Sequence, residues 1–229
     1  MRPVDNTNIH LVIAMASFVL SHFLMSGPLR RTLVSAMREQ GFALFYSMVS
    51  LCTLTWGIVA SDRALSTTPV WDGTHPLPWL LGSVLTIVSL ALLLPSFVRN
   101  PALPGVKAAG LGTVIPTGVF KITRHPMMWA FSLWAIGHII VAPELRMFIF
   151  MGSIILIALL GSHFQDKRKV AQNNREFGPW QRRTTFWPDV RQFGRIGIVW
   201  LIAVVLWFLA TTLHWELFGI PAGLWLWLA

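Results

Sequence analysis

The sequence has few charged residues and a single cysteine. Only 12% of its 229 residues are Asp, Glu, Lys or Arg, which is about half the share found in soluble domains. The lone cysteine, Cys52, excludes an intrachain disulfide and leaves no set of thiolates for a zinc or iron–sulfur site. These shortages argue against a soluble domain and against cysteine-based metal chemistry.

Long apolar runs take the place of the missing charge. Apolar residues make up 55% of the chain, and the mean hydropathy is +0.63. A helix of about 20 apolar residues crosses a hydrocarbon core of roughly 30 Å. We predict an all-α, polytopic transmembrane bundle of about six spans in one domain, residues 1–229, with a short Trp-rich interfacial segment at its C-terminus. The predicted spans are 9–26, 41–60, 77–98, 126–142, 147–164 and 197–213, and the Trp-rich segment is 217–229.

The net charge of +9 is unevenly distributed along the chain. Fifteen of the eighteen Lys and Arg residues fall in three alternate connections, at 27–40, 99–125 and 165–196. The positive-inside rule then predicts that these connections are cytoplasmic and that both termini lie outside. We interpret the basic charge as an orientation signal and a contact for anionic membrane lipids, and we expect no nucleic-acid binding.

Histidines are the informative ionisable residues, because such groups inside a membrane usually face an interior cavity. His10, His22, His138 and His163 lie in or at the ends of predicted spans, and His125 starts the fourth span. Imidazole is a common ligand of haem iron. At a rise of 1.5 Å per residue, His22, His125 and His163 share a level, whereas His138 lies roughly three turns above it. The residues alone leave two ligand sets open, His22 with His138, or His22 with His125 or His163.

A second feature is the sequence Arg124-His125-Pro126 at the cytoplasmic start of the fourth span. Proline is tolerated in a first helical turn, where its missing N–H needs no partner. The pattern fits either a snorkelling arginine beside an interface histidine, or a site for an anionic or polar group. The connection 165–196 is basic and rich in aromatics, which is typical of an amphipathic piece along the membrane surface. We take Arg124, His125 and His163 as the candidate catalytic residues.

At these residues the chain resembles the NnrU family, which is named from proteins linked to nitric oxide metabolism in denitrifying bacteria. The same family contains the plastid 15-cis-zeta-carotene isomerases. The resemblance covers essentially the whole chain and implies a multi-pass protein of the bacterial cytoplasmic membrane. It is carried by Ser21-His22, by 27–30, 41–50, 122–128 and 133–138, and by 166–168 and 182–188.

The resemblance implies a haem b group whose iron is bound by His22 and His138. The isomerase branch has a cysteine three residues before the second ligand, and this chain has Ala135 there. Two functions are implied. One is a membrane haem protein of nitrogen-oxide metabolism that handles a small gaseous ligand, and the other is a haem-dependent isomerase of an apolar polyene. The resemblance does not decide whether the chain is an enzyme.

A weaker likeness links the chain to the isoprenylcysteine carboxyl methyltransferases and the phospholipid methyltransferases. It rests on Arg124-His125-Pro126, Phe177-Gly178 and residues 183–188. The paired glutamates that those enzymes carry between the two motifs are replaced here by Gln165-Asp166 and a basic run. A membrane methyltransferase and a cofactor-free accessory membrane protein therefore stand as the alternative functions.

Overall fold

A computed structural model describes residues 6–98, 100–101 and 110–225 of the chain. These residues contain six α-helices and no strand, and five of the helices are long and apolar enough to cross a membrane. The fourth helix is apolar but shorter. The predicted all-α bundle of about six spans is confirmed. The helices are α1 (Asn6–Ser26), α2 (Arg30–Arg63), α3 (Pro76–Leu93), α4 (Pro126–Val141), α5 (Leu145–Arg183) and α6 (Val199–Phe218).

Two of the predicted connections, 27–40 and 165–196, are wrong in part, because helices occupy much of each. Helix α2 already begins at Arg30 and is interrupted at Arg38, whose φ of 60° is not helical. Helix α5 runs on to Arg183, with one non-helical residue at Asn173. The predicted spans end where the hydrophobicity of the sequence ends. Polar residues such as Gln, Lys and Arg are good helix formers, however, so the helix continues beyond the apolar run.

The helices pack in a row in which α4 and α5 are central. Helix α4 contacts α3 on one side and α5 on the other, α5 also contacts α1, and α1 contacts α2. Helices α3 and α4 approach closely at Gly82 and Gly137, where a Cβ on Gly137 would lie 3.2 Å from the Gly82 carbonyl oxygen. Small residues allow such close packing between membrane helices.

The outermost helix, α6, packs on α3 and is mostly exposed. Only 6% of its apolar window is buried, as expected for a face that lipid covers. The chain after α6 turns at Gly219, whose φ is 63°, and Gly223 accepts a 2.5 Å hydrogen bond from the indole of Trp79 on α3. This bond holds the described part of the predicted Trp-rich segment against the bundle; residues 226–229 lie outside the described residues.

One end of the bundle carries most of the positive charge. It is formed by residues 27–40, 110–125 and 165–196, and we call it the basic end. An apolar cluster of α3, α4 and α6 side chains reaches this end, where Phe177 and Trp180 of α5 join it. A second cluster fills the space between α1, α2, α4 and α5 nearer the opposite end.

Candidate functional site

A cavity of about 660 Å³ lies among α1, α2, α4 and α5, and we call it the long cavity. Its wall on α5 runs from Phe150 to Arg168, a distance of about 27 Å at 1.5 Å per residue. The other apolar lining residues include Phe18, Phe23, Leu54, Ile58, Met127, Met128, Phe131, Trp134, Ile154 and Ile157. The volume is within the range of small-molecule sites, and the shape suits an extended molecule.

The polar residues of the long cavity are concentrated at the basic end of the bundle. They lie at the end of α1, in the part of α2 that follows its break, in the connection after α3, and in the segments around the start of α4 and the middle of α5. These residues are His22, Ser26, Tyr46, Asn100, His125, Ser162, Gln165 and Arg168. The cavity therefore has a polar end near one membrane surface and an apolar end inside the bundle.

A buried network at the polar end joins His125, Asp166 and Arg124. The Nε2 atom of His125 lies 2.7 Å from Oδ1 of Asp166, and Nε of Arg124 donates to Oδ2 of the same carboxylate at 2.6 Å. His125 and Asp166 are each only 3% exposed. A buried charge is tolerated when it is paired and hydrogen-bonded. One carboxylate thus fixes the orientation of both side chains.

The backbone around His125 is held by the segment that follows α5. The Arg124 amide donates to the Thr185 carbonyl at 2.8 Å, and the Asp189 amide donates to the Ile122 carbonyl at 2.8 Å. The Thr123 hydroxyl bonds to the Phe186 carbonyl at 2.6 Å. Because His125 precedes Pro126, its backbone is biased away from the helical region, and its ψ is 55°. The two motifs found in the sequence therefore form one structural unit.

The second ring nitrogen of His125 is not engaged by the network. With Nε2–H donating to Asp166, Nδ1 carries a lone pair. This Nδ1 atom is buried and has no hydrogen-bond partner among the described residues, while His125 lines the long cavity. A carboxylate that orients a histidine in this way also stabilises the imidazolium that forms on protonation. The arrangement can accept a proton at Nδ1 and return it.

His22 lines the same end of the long cavity but is bonded differently. Its Nδ1 donates to the Phe18 carbonyl at 2.8 Å, and the Ser50 hydroxyl donates to its Nε2 at 3.3 Å. Its ring meets the ring of Tyr46 edge-on, with the centroids 5.2 Å apart. A backbone bond from Nδ1 leaves Nε2 as the atom that could ligate a metal.

His138 does not share this cavity. Its Nδ1 bonds to the Trp134 carbonyl at 2.9 Å, and its ring packs on Trp134 at a centroid distance of 4.5 Å. Bis-histidine ligation of one haem needs both imidazoles on one cavity, and of this pair only His22 lines it. The described residues form no group of three or more His, Cys, Asp or Glu suited to a metal. Haem ligation by His22 and His138 stays a prediction.

The third candidate catalytic residue, His163, is exposed and lines a different cavity on the other side of α5, together with Arg124 and Asp166. The structure therefore brings Arg124 and His125 into one network and His163 next to it. His10 is exposed near the start of α1 and lines neither cavity.

Sequence reasoning missed the central role of Asp166. The sequence places it in the 166–168 stretch that carries the family resemblance and in the Gln165-Asp166 pair that replaces two glutamates, without giving it a role. A signal was present, because Asp166 is a single carboxylate just beyond an apolar run, and ionisable residues at such positions are often functional. The part of Arg168 was missed as well; its guanidinium lines the long cavity and donates to the Ser26 carbonyl at 2.6 Å.

Comparison with known proteins identifies the family. The family model described as NnrU protein matches residues 10–222, which is nearly the whole chain. Searches of curated proteins and of solved structures give no match. The chain belongs to the NnrU family, and the resemblance found in the sequence is confirmed.

Proposed function

We propose that this NnrU-family membrane protein binds an elongated apolar molecule in the long cavity and exchanges a proton with it at His125. The observation that carries the proposal is the buried Asp166–His125 pair at the polar end of a cavity about 27 Å long. A diatomic gas would use little of a volume of about 660 Å³. The geometry therefore favours isomerisation of an apolar polyene over the handling of a small gaseous ligand.

Proton exchange is sufficient for isomerisation of a conjugated chain. The step begins once Nδ1 of His125 has taken up a proton from water. The imidazolium donates this proton to one carbon of the polyene, and the resulting cation is delocalised, so that rotation about a former double bond becomes easier. The same carbon then returns a proton to Nδ1. One C–H bond forms and breaks, and no oxidant or reductant is consumed. Asp166 stabilises the imidazolium, and the aromatic faces of Phe131 and Trp134 can stabilise the cation.

The polar end of the long cavity supplies contacts for a polar or anionic group on the ligand. Arg168 and Tyr46 line this end together with His22. A guanidinium and a phenol hydroxyl are both hydrogen-bond donors. These donors would orient a polyene that carries one polar terminus, whereas a hydrocarbon such as 15-cis-zeta-carotene would be held by the apolar walls alone.

The glycines of α5 provide a direct test of the cavity. A Cβ built on Gly161 or on Gly152 meets no atom within 4 Å, and only Gly161 lines the long cavity. We expect Gly161→Leu to weaken binding of 15-cis-zeta-carotene to the detergent-purified protein roughly tenfold, because an added side chain overfills the site. Gly152→Leu on the same helix should bind as the unchanged protein does. Binding is measured by quenching of tryptophan fluorescence, and equal affinities of the two variants would contradict the proposal.

Haem b is a separate prediction, and its test is separate too. The absorption spectrum of the detergent-purified protein should show a Soret band if haem b is present. If His22 and His138 are the ligands, the band should be lost or shifted in both His22→Ala and His138→Ala, whereas His10→Ala should leave it unchanged. Loss in only one of the two variants would contradict this ligand pair.

A further inference from the structure

A second cavity, of about 880 Å³, lies on the opposite side of α5 at the basic end, and we call it the basic cavity. Its polar lining residues are Arg124, His163, Asp166, Lys167 and Gln181. We propose that the basic cavity binds the phosphate-bearing head group of an anionic membrane lipid.

The charges in the basic cavity favour an anion. Among the described residues that line it, Asp166 is the only acidic one, and both of its carboxylate oxygens are already bonded, one to His125 and the other to Arg124. Lys167 is exposed and makes no hydrogen bond or ion pair to any residue that the structure describes. His163 adds a further donor at the same wall. Phosphate oxygens accept charge-assisted hydrogen bonds from such groups.

The apolar part of the basic cavity indicates a lipid rather than a free phosphate. His163 and Lys167 are four residues apart on α5 and so lie on one face of the helix. Leu160, on the same wall one turn nearer the membrane, is 42% exposed, and Trp187 at the rim is 69% exposed. Tryptophan is enriched at membrane interfaces. A head group beside Lys167 would place its acyl chain along Leu160.

Lys167 can be tested against a lysine of the same charge that lies elsewhere. Lys121 is exposed at the basic end and lines neither cavity. We expect Lys167→Gln to weaken binding of dioleoylphosphatidylglycerol to the full chain in detergent about fivefold, since one lysine near an anionic head group contributes that much. Lys121→Gln should leave the affinity unchanged. Native mass spectrometry of the protein titrated with this lipid, and with dioleoylphosphatidylcholine as the uncharged comparison, gives the affinities.

Three outcomes would overturn the proposal. Equal weakening in Lys167→Gln and Lys121→Gln would show general attraction to a basic surface, and equal affinity for the two lipids would remove the charge preference. Displacement of phosphatidylglycerol by millimolar inorganic phosphate would show that a free phosphate is the ligand. Because Lys167 does not line the long cavity, none of these outcomes bears on the proposed function.

Discussion

The two cavities lie on either side of one carboxylate, because Asp166 lines the basic cavity and bonds to His125 in the wall of the long cavity. On the side of the long cavity, Asp166 holds the ring of His125, whose Nδ1 has no hydrogen-bond partner among the described residues; on the side of the basic cavity, it holds the guanidinium of Arg124. The same anion thus fixes a proton acceptor on one side and a cation on the other. The comparison teaches that the chemistry of each site depends on what lines the cavity around the shared carboxylate.

The largest expected effect is an all-or-none result. It concerns which membrane surface the basic end of the bundle, with both cavities, faces. The split of fifteen Lys and Arg against three predicts that the basic end is cytoplasmic. In a Cys52→Ala background, we expect Lys121→Cys to be protected from an impermeant maleimide applied to intact cells. Val70→Cys, at a residue 71% exposed at the opposite end, should be labelled. Labelling of the Lys121→Cys protein from outside would reverse the orientation of both cavities.

The next largest effect concerns the long cavity alone. We expect His125→Asn to lower the rate of 15-cis-zeta-carotene isomerisation about 10²- to 10⁴-fold, because it removes the group that transfers the proton. Binding of the polyene should be little changed, since the apolar walls remain. His10→Asn, at an exposed residue outside both cavities, is the matched control. Chromatography of the polyene isomers measures the rate, and a His125→Asn protein of full activity would exclude the proposed mechanism.

Arg124→Ala should have a smaller effect, which lowers both the activity in the long cavity and the lipid affinity of the basic cavity. The change removes the 2.6 Å bond to Asp166, so the carboxylate is free to move and holds His125 less firmly. We expect the isomerisation rate to fall roughly tenfold, and the affinity for phosphatidylglycerol to fall about fivefold. Membrane insertion should be retained, which the amount of protein in the washed membrane fraction measures. Full activity of this variant would assign Arg124 a purely structural role.

The fold could be predicted from the sequence because each span carries its own signal. The apolar runs gave all six helices, since a membrane span depends on local hydrophobicity and length. The ends of α2 and α5 were placed wrongly, because residues such as Arg30 and Arg183 are polar but still helical. Hydrophobicity reports the membrane boundary, whereas the hydrogen bonds of a helix continue past it.

The sequence predicts which residue types form the site, but it does not predict which of these residues are bonded to one another. His125 and Arg124 were found through their position before Pro126, whereas Asp166 is 41 residues further along the chain from His125. Only the contact between α4 and α5 brings these residues together, and a single sequence contains no record of that contact. His22 and His163 are a second example. The sequence predicts that they lie at the same depth in the membrane, but they line different cavities.

The smallest expected effect is an absence of cofactor binding. It concerns the likeness to methyltransferases. The motif Arg124-His125-Pro126 does meet the segment after α5 through the bond from Arg124 to Thr185, as a shared architecture would require. The carboxylates near it are engaged, because Asp166 bonds to Arg124 and His125, and Glu176 accepts a 2.8 Å bond from the Gly112 amide. Both oxygens of Asp166 are therefore occupied, and the amino group of S-adenosylmethionine would have to displace Arg124 or His125 from it.

We therefore expect calorimetry of the detergent-purified protein with S-adenosylmethionine to show no heat beyond dilution. The same titration with Asp166→Asn is the control, because freeing Arg124 and His125 from their carboxylate should not create a site for a cationic cofactor. Micromolar affinity in the unchanged protein, lost in Asp166→Asn, would mean that Asp166 exchanges its present partners for the cofactor. The shared carboxylate would then belong to a methyl-transfer site, and the separation of the two cavities into a proton-transfer site and a lipid site would be wrong.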